Sequence, residues 1–445
     1  MPPITLIENK EYKVEQLKKI FYPHYDEIMQ FCKLKKITNT DENNTDSIVT
    51  FSFVGCLILR NGAILFLPKY FKDTTVINQQ HYMKLLLQVL QKYQKSKIEN
   101  PLDNEMLHEE DDYLHLFGTI SYLIQHYIEY GLYVKEYSEK VLHGYSEIDW
   151  QTTIDQGTAY LTRSGAPVYL DVVKDEMEYD WRAPITEIHK SILNKCTTLM
   201  KNWGIDEILD WPHVYLEVNE NWLSKPNEAQ YWIEKAMQTE FRDQNLLLLK
   251  NLLLFIKQIS SMNFKSDKQL IGSKYFQNIW EKCCAEVLQH DQTLQNHINK
   301  PIWASGSNED KTKKTLKPDF LKLLQNNASK TLLIFDAKYY AIEFQGNHVK
   351  HNPGINDVVK QYMYHQALEN YVTTQSISKV YNAFLFPSLD TEQEVFGTVT
   401  LDFIPNLSSV FLIKLNAEEF FKMYVTGHRW TSKQLDILLK KIDNY

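Results

Sequence analysis

Residues 316–340, LKPDFLKLLQNNASKTLLIFDAKYY, constrain the fold of this chain more than any other stretch. Pro318 and Asp319 come before a polar turn, and the apolar run 331–335 then leads straight into Asp336, Ala337 and Lys338. A short apolar run rich in β-formers and bounded by turn residues predicts a buried strand. Alternate residues of a strand share a face, so Asp336 and Lys338 are expected side by side with Ala337 pointing away. The acid-x-Lys tripeptide says nothing by itself, because it recurs at Glu8 to Lys10, Glu11 to Lys13 and Glu309 to Lys311. Only the copy at 336 ends a β-prone run and follows the sole Pro-Asp pair of the chain, 17 positions earlier. The plainer alternative is a strand that surfaces with an ordinary ion pair.

The pairing matches what metal-dependent phosphodiester cleavage requires. Two neighbouring carboxylates suit Mg²⁺, which keeps several waters and takes phosphate oxygens as further ligands. The ion acidifies a water and neutralises charge building on the phosphate. An adjacent ammonium orients that water, and lysine responds readily to partial burial. Asp319 and Asp336 are the expected ligands, with the Ala337 carbonyl as a third, and Lys338 is the expected catalytic cation.

Two flanking patterns extend the stretch. Upstream, residues 275–288 place Phe276, Ile279, Trp280, Cys283, Cys284, Val287 and Leu288 at three- and four-residue steps, one apolar helical face bordered by Glu281. Downstream, residues 355–371 read as an amphipathic helix carrying Lys360, Gln361 and Tyr364, and 379–387 as another buried strand. The predicted order is helix, strand, strand, helix, strand.

That order, with Glu281, Pro318-Asp319, Asp336-Ala337-Lys338 and Gln361 with Tyr364, resembles the PD-(D/E)xK nuclease core. Within that superfamily it is similar to restriction endonuclease subunits of the LlaJI and McrC kind, and residues 144–154, GYSEIDWQTTI, resemble a LlaJI segment. The core likeness covers about the last 175 residues, and only the looser segment touches the first 270. The resemblance implies a mixed α/β restriction-endonuclease-like core that cuts double-stranded DNA with Mg²⁺. It assigns Asp319 and Asp336 to the metal, Lys338 to the attacking water, Glu281 to the acidic cluster, and Gln361 and Tyr364 to orienting the site or the DNA. Glu286 stays open as an alternative to Glu281. Because the Gln-to-Tyr spacing is one residue shorter than in the family, Tyr362 stays open beside Tyr364.

A chain of 445 residues exceeds the usual size of one core. Three stretches are expected: an α+β domain at 1–130 for partner docking or DNA recognition, a β-rich segment with a helical connector at 131–270, and the nuclease domain at 271–445. The formal charge of -8 advertises no global cationic surface, so DNA contact must be local or supplied by a partner. Lys311, Lys313, Lys314 and Lys317, leading into Asp319, form the candidate phosphate-binding loop. The chain has no Gly-x-x-x-x-Gly-Lys-Ser/Thr loop. The resemblance implies a separate AAA+ GTPase partner of the McrB kind, so that GTP enters only through that subunit.

Five cysteines without metal spacing read as core residues of a cytoplasmic protein. The greasiest run, 246–256, is too short to span a bilayer and predicts a buried helix, with no membrane partner. Along the chain, 12–36 has helical spacing, 39–46 is loop-like, and 48–68 forms two β-runs parted by Asn61-Gly62, a strong hairpin signal. The acid-rich 99–112 reads as a solvated linker or as a docking surface for a basic partner. Segments 132–136, 147–153 and 167–173 read as β, with Trp150 packed in a core. Pro184 opens a helix in which His189 is an ordinary polar neighbour. Alternatives to the nuclease reading are a non-catalytic regulatory subunit that stimulates a GTPase, and a repair or RNA-processing nuclease.

Overall fold

The computed structural model describes residues 4–41, 48–59, 62–71, 78–99, 112–261, 268–305, 308–311, 315–326, 329–346, 348–403 and 409–445. The chain divides into two units, Met1–His115 with Asp267–Tyr445, and Leu116–Ser266. The stretches 1–130 and 271–445 thus share one unit except for residues 116–130, and most of the 131–270 stretch falls in the other.

In the first unit, strands β1 (Ile4–Ile7), β2 (Val54–Leu59) and β3 (Gly62–Leu67) form a sheet with β4 (Gln269–Ser273), in the order β1-β3-β2-β4. The expected hairpin is present, with Leu59 opposite Gly62 in an antiparallel ladder. Strand β4 returns some two hundred residues later to pair antiparallel with β2, and Gly55 meets Gly272 in that ladder. A Cβ at Gly272 would lie 2.2 Å from the Val54 carbonyl oxygen, and one at Gly55 2.2 Å from that of Ile271. Only glycine allows two backbones to approach so closely.

The continuous helix expected over 12–36 is instead a short strand followed by helices Val14–Ile20 and Tyr25–Leu34. Pro23, without an N–H to donate, separates them. Part of the expected 39–46 loop is strand Thr38–Asp41, paired with Ile48–Phe51; residues 42–47 lie outside the described set. Helices Gln79–Glu99 and Asp112–Tyr130 follow. Most of the acid-rich segment between them, 100–111, lies outside the described residues.

Strand β4 leads within three residues into helix α1 (Phe276–Leu288), which buries all seven apolar residues read from its periodicity. A second sheet holds β5 (Phe320–Asn326), β6 (Ser329–Ala337), β7 (Lys379–Ser388), β8 (Glu394–Val399) and β9 (Val410–Asn416), in the order β5-β6-β7-β9-β8. Strands β6, β7 and β9 run parallel. Six consecutive residues of β6, from 332 to 337, are buried, as a central strand covered on both faces requires. Between β6 and β7 lies α2 (Ile355–Ala367), which stops at Leu368 before a separate short helix, Glu369–Thr374, so the single helix expected over 355–371 is broken. The Trp280 indole donates to the Leu385 carbonyl (3.2 Å) and packs on Phe420 and Phe421 of helix Ala417–Thr426, fixing α1 against β7.

The second unit contains helices Pro184–Trp203, Pro226–Thr239 and Asp243–Ser261 and two small β-ribbons. Pro184 opens the first of these helices, as expected. His189 is fully buried and its Nδ1 accepts from the Tyr133 N–H at 3.1 Å. The β-like reading of 147–153 is overturned for its second half: Trp150–Gln156 is a helix capped by Asp149, whose carboxylate accepts from the Thr152 N–H. Trp150 is 56% exposed, not a core anchor, because the face that packs on Val173 carries Thr153 instead. All five cysteines are buried thiols. Among the described residues no helix is long and apolar enough to cross a membrane.

Candidate active site

The site forms where β6 leaves the sheet. Asp336 is 3% exposed and Lys338 follows on the same face, its Nζ 2.6 Å from Asp336 Oδ2. The Ala337 N–H turns the other way and donates to Asp319 Oδ2 at 3.0 Å. Asp319, just before β5, lies against the Asp336 carboxylate. The antiparallel register of β5 on β6, with Phe320 opposite Phe335, makes this meeting obligatory.

Glu281 joins from α1. Burial first, and the Asp336 charge second, raise its carboxyl to about 7, against the pull of Lys338, Lys360 and Lys317. Glu286 is engaged elsewhere, 3.4 Å from Lys92 and 3.8 Å from Lys282, so Glu281 is the helix acid that faces the aspartates. Burial, followed by the charges of Asp336 and Glu281, pushes Asp319 well above the usual carboxylate range. Burial works to lower the Lys338 ammonium, but the Asp336 and Asp357 carboxylates outweigh it and hold its pKa above the usual lysine value.

Asp357 was not singled out from the sequence. It lies in the first turn of α2, with Oδ1 2.8 Å from Lys338 Nζ. Residues 357, 361 and 364 share one helical face, so the spacing from Gln361 and Tyr364 was the available signal. Lys360, noted on the same helix, also acts on Glu281.

Gln361 and Tyr364 are fully buried. The Gln361 amide donates to the Ile334 carbonyl (3.0 Å) and to Asn382 Oδ1 (2.5 Å), which bolts α2 across β6 and β7. The Tyr364 hydroxyl donates to the Lys317 carbonyl at 3.0 Å and so holds the residue before Pro318-Asp319. Neither side chain has surface to offer DNA; both brace the elements that carry Asp319 and β6. Tyr362 turns to another cluster, where its hydroxyl reaches the Val399 carbonyl and the Leu401 N–H. Lys317 is exposed beside the site, Lys311 ends strand Asn308–Lys311, and Lys313 and Lys314 lie outside the described residues.

The first unit's N-terminal sheet reaches the same strand end. Glu8 Oε2 accepts from the Tyr339 hydroxyl at 2.6 Å and from the Lys69 N–H at 3.2 Å. Tyr339 also packs on Phe276 and Tyr70.

Among the described residues no three His, Cys, Asp or Glu side chains form a ready-made metal-ligand set. The donors nevertheless fit Mg²⁺, a hard ion that uses one or two carboxylates and leaves its other positions to water and phosphate. Burial first and repulsion between neighbouring carboxyls second raise Asp319 and Glu281, and a divalent cation would relieve the repulsion.

Residues 53–418 match the family described as LlaJI restriction endonuclease. The chain belongs to that family. Among curated relatives of this LlaJI-family chain is the type II restriction enzyme BsuMI component YdjA of Bacillus subtilis (strain 168), 26% identical over 445 residues covering 98% of this chain and 92% of the relative. Solved structures with some likeness come from Thermococcus gammatolerans. One is a half-complex of McrB AAA+ hexamers with bound McrC (TM-score 0.36, 12% identity, 96% of this chain and 99% of that one). The other is the McrBC complex (TM-score 0.22, 13% identity, 57% and 79%). Superpositions this loose decide nothing about the LlaJI chain.

Proposed function

We propose that this LlaJI-family chain is the cutting subunit of a restriction system and hydrolyses double-stranded DNA with Mg²⁺. The observation that carries the reading is the convergence of Asp319, Asp336 and Glu281 with Lys338 at the end of one buried strand. Asp319 and Asp336 would hold the ion, with the Ala337 carbonyl as a further oxygen. When bound there, a divalent cation supplies Lewis-acid stabilisation of the phosphate and a more acidic water.

The chain's own groups do the remainder. An ammonium has three donors; without a cation two of those on Lys338 face Asp336 and Asp357, so at least one is left for the attacking water. Glu281, with its carboxyl raised to about 7, is suited to take a proton from that water near neutral pH. Tyr364 and Gln361 keep Asp319 and β6 in place. Lys317, together with Lys311, Lys313 and Lys314, would meet the DNA backbone, contacts that add affinity without sequence information.

A partner subunit of the AAA+ GTPase class completes the proposal. The absence of a phosphate-binding loop in the sequence supports it, as does the description of the Bacillus relative as one component of an enzyme. GTP would then act only through that partner. The test is Asp336→Ala and Lys338→Ala in the full chain, assayed on plasmid DNA with and without a partner AAA+ GTPase. Loss of Mg²⁺-dependent cutting in a folded protein is expected, and retained cleavage by either variant refutes the assignment.

A further inference from the structure

Lys338 has two carboxylate partners where one would neutralise it. Asp336 Oδ2 lies 2.6 Å from Nζ and Asp357 Oδ1 2.8 Å, and the side chains are respectively 4% and 29% exposed, with Lys338 at 13%. Asp336 lies two residues before the lysine, at the end of β6. Asp357 belongs to α2, which Gln361, one turn further on, ties to β6 and β7, so its place beside the ammonium is built by the fold. An acid in a first helical turn is commonplace because it complements the helix dipole. That explains an acid at 357 but not a 2.8 Å contact with a buried amine.

We propose that Asp357 is a positioning residue, the anchor that keeps Lys338 in the site once a divalent cation has taken Asp336. The inference rests on the nuclease reading above. A cation held by Asp336 would compete with Lys338 for that carboxylate, whose Oδ2 accepts from the ammonium. Without a second acceptor, arrival of the cation would leave a desolvated ammonium unpaired beside a double positive charge, a costly arrangement. Asp357 is the acceptor that remains. Being more exposed than Asp336, it leaves room for the ammonium to turn toward water and phosphate. Phe384, whose ring lies 5.8 Å from Nζ, offers a cation a face but no hydrogen-bond acceptor.

The experiment uses full-length protein with whatever partner cleavage requires, and compares wild type, Asp357→Asn and Asp357→Glu. Cleavage is measured across a Mg²⁺ titration, Mn²⁺ binding is measured by electron paramagnetic resonance without DNA, and folding is checked by thermal melting. Asp357→Asn is expected to fold and to bind Mn²⁺ less than tenfold more weakly. Its kcat at saturating Mg²⁺ should fall roughly a hundredfold, the scale on which a misplaced catalytic group costs rate. Asp357→Glu should recover most of that loss. In wild-type crystals containing Mn²⁺, Lys338 Nζ is expected on Asp357 and off Asp336.

Full kcat at saturating Mg²⁺ in Asp357→Asn overturns the proposal while leaving the nuclease reading intact. So does an ammonium still seated on Asp336 in the Mn²⁺ crystals. A wild type that neither binds Mn²⁺ nor cuts DNA overturns both.

Discussion

Tyr339→Phe tests whether the N-terminal sheet and the end of β6 are joined by a charge-sensitive bond. Phenylalanine keeps the ring contacts with Phe276 and Tyr70 and removes only the hydroxyl that Glu8 accepts at 2.6 Å. Glu8 is 6% exposed and would retain one hydrogen bond, from the Lys69 N–H. Loss of a hydrogen bond to a buried charged acceptor costs about 2 kcal/mol, or about 4 °C in Tm for a unit of this size.

The pH dependence follows from the sign of the Glu8 shift. Burial raises its pKa, and the Tyr339 hydrogen bond lowers it. A carboxyl with a raised folded pKa contributes stability that is complete below its unfolded value and is lost as pH rises through the folded value. Removing the hydroxyl raises the folded pKa further, so the Tyr339→Phe penalty should be largest near pH 8 and should shrink as the pH falls and Glu8 takes up a proton. Glu8→Gln, which keeps an acceptor without a charge, should be at least as stable as wild type at pH 8. Calorimetric melting of the three proteins at pH 4.5, 6 and 8 is the assay. An equal penalty at every pH, or none, would refute the reasoning.

Three further outcomes are expected. Glu281 and Asp319 are both raised and hold protons that a cation would displace, so Mg²⁺ affinity should rise with pH through about 7, where Glu281 titrates, with proton release visible by calorimetry in buffers of different ionisation enthalpy. Tyr364→Phe frees the Lys317 carbonyl, and should cost about 1 kcal/mol by denaturant titration and slow cleavage several-fold. Gly272→Ala forces a methyl group to within 2.2 Å of the Val54 carbonyl and should destabilise by about 3 kcal/mol, read as a lower denaturation midpoint.

What the sequence disclosed follows the range of the interactions. The β6 strand, the apolar face of α1 and the helix–strand order are written in local periodicity, and the Asp336–Lys338 pairing follows from strand geometry alone. Glu8 and Tyr339, 331 positions apart, carry no local mark of their bond. The same holds for β4, whose pairing with β2 depends on two glycines nearly 220 residues apart. The error at 147–153 has a different origin. Trp150, Thr152 and Thr153 favour strands, yet Asp149 caps the following turn, and one side-chain hydrogen bond outweighed the propensity of its neighbours. Asp357 was missed because Lys338 was read with its strand neighbour only, although its helical face was already marked by Gln361 and Tyr364.

The site's electrostatics imply a trade of stability for metal binding that Asp319→Asn can expose. Asp319 is raised by burial and by two neighbouring carboxyls, so by the same sign rule it lowers the stability of the metal-free fold as pH climbs. Asparagine copies the protonated acid: its oxygen can keep the Ala337 N–H and its amide can donate to Asp336. Relieving such a site typically returns about 1 to 2 kcal/mol. In EDTA at pH 8, Asp319→Asn should therefore melt above wild type. Added Mg²⁺ should raise the wild-type Tm by mass action and leave the variant where it was. A variant that melts below wild type in EDTA, or that keeps the Mg²⁺ shift, would mean that Asp319 braces the fold and holds no ion. The expected crossing of the two proteins with metal would place the cost of those crowded carboxyls in function, since a purely structural site gains nothing from repulsion that one amide can remove.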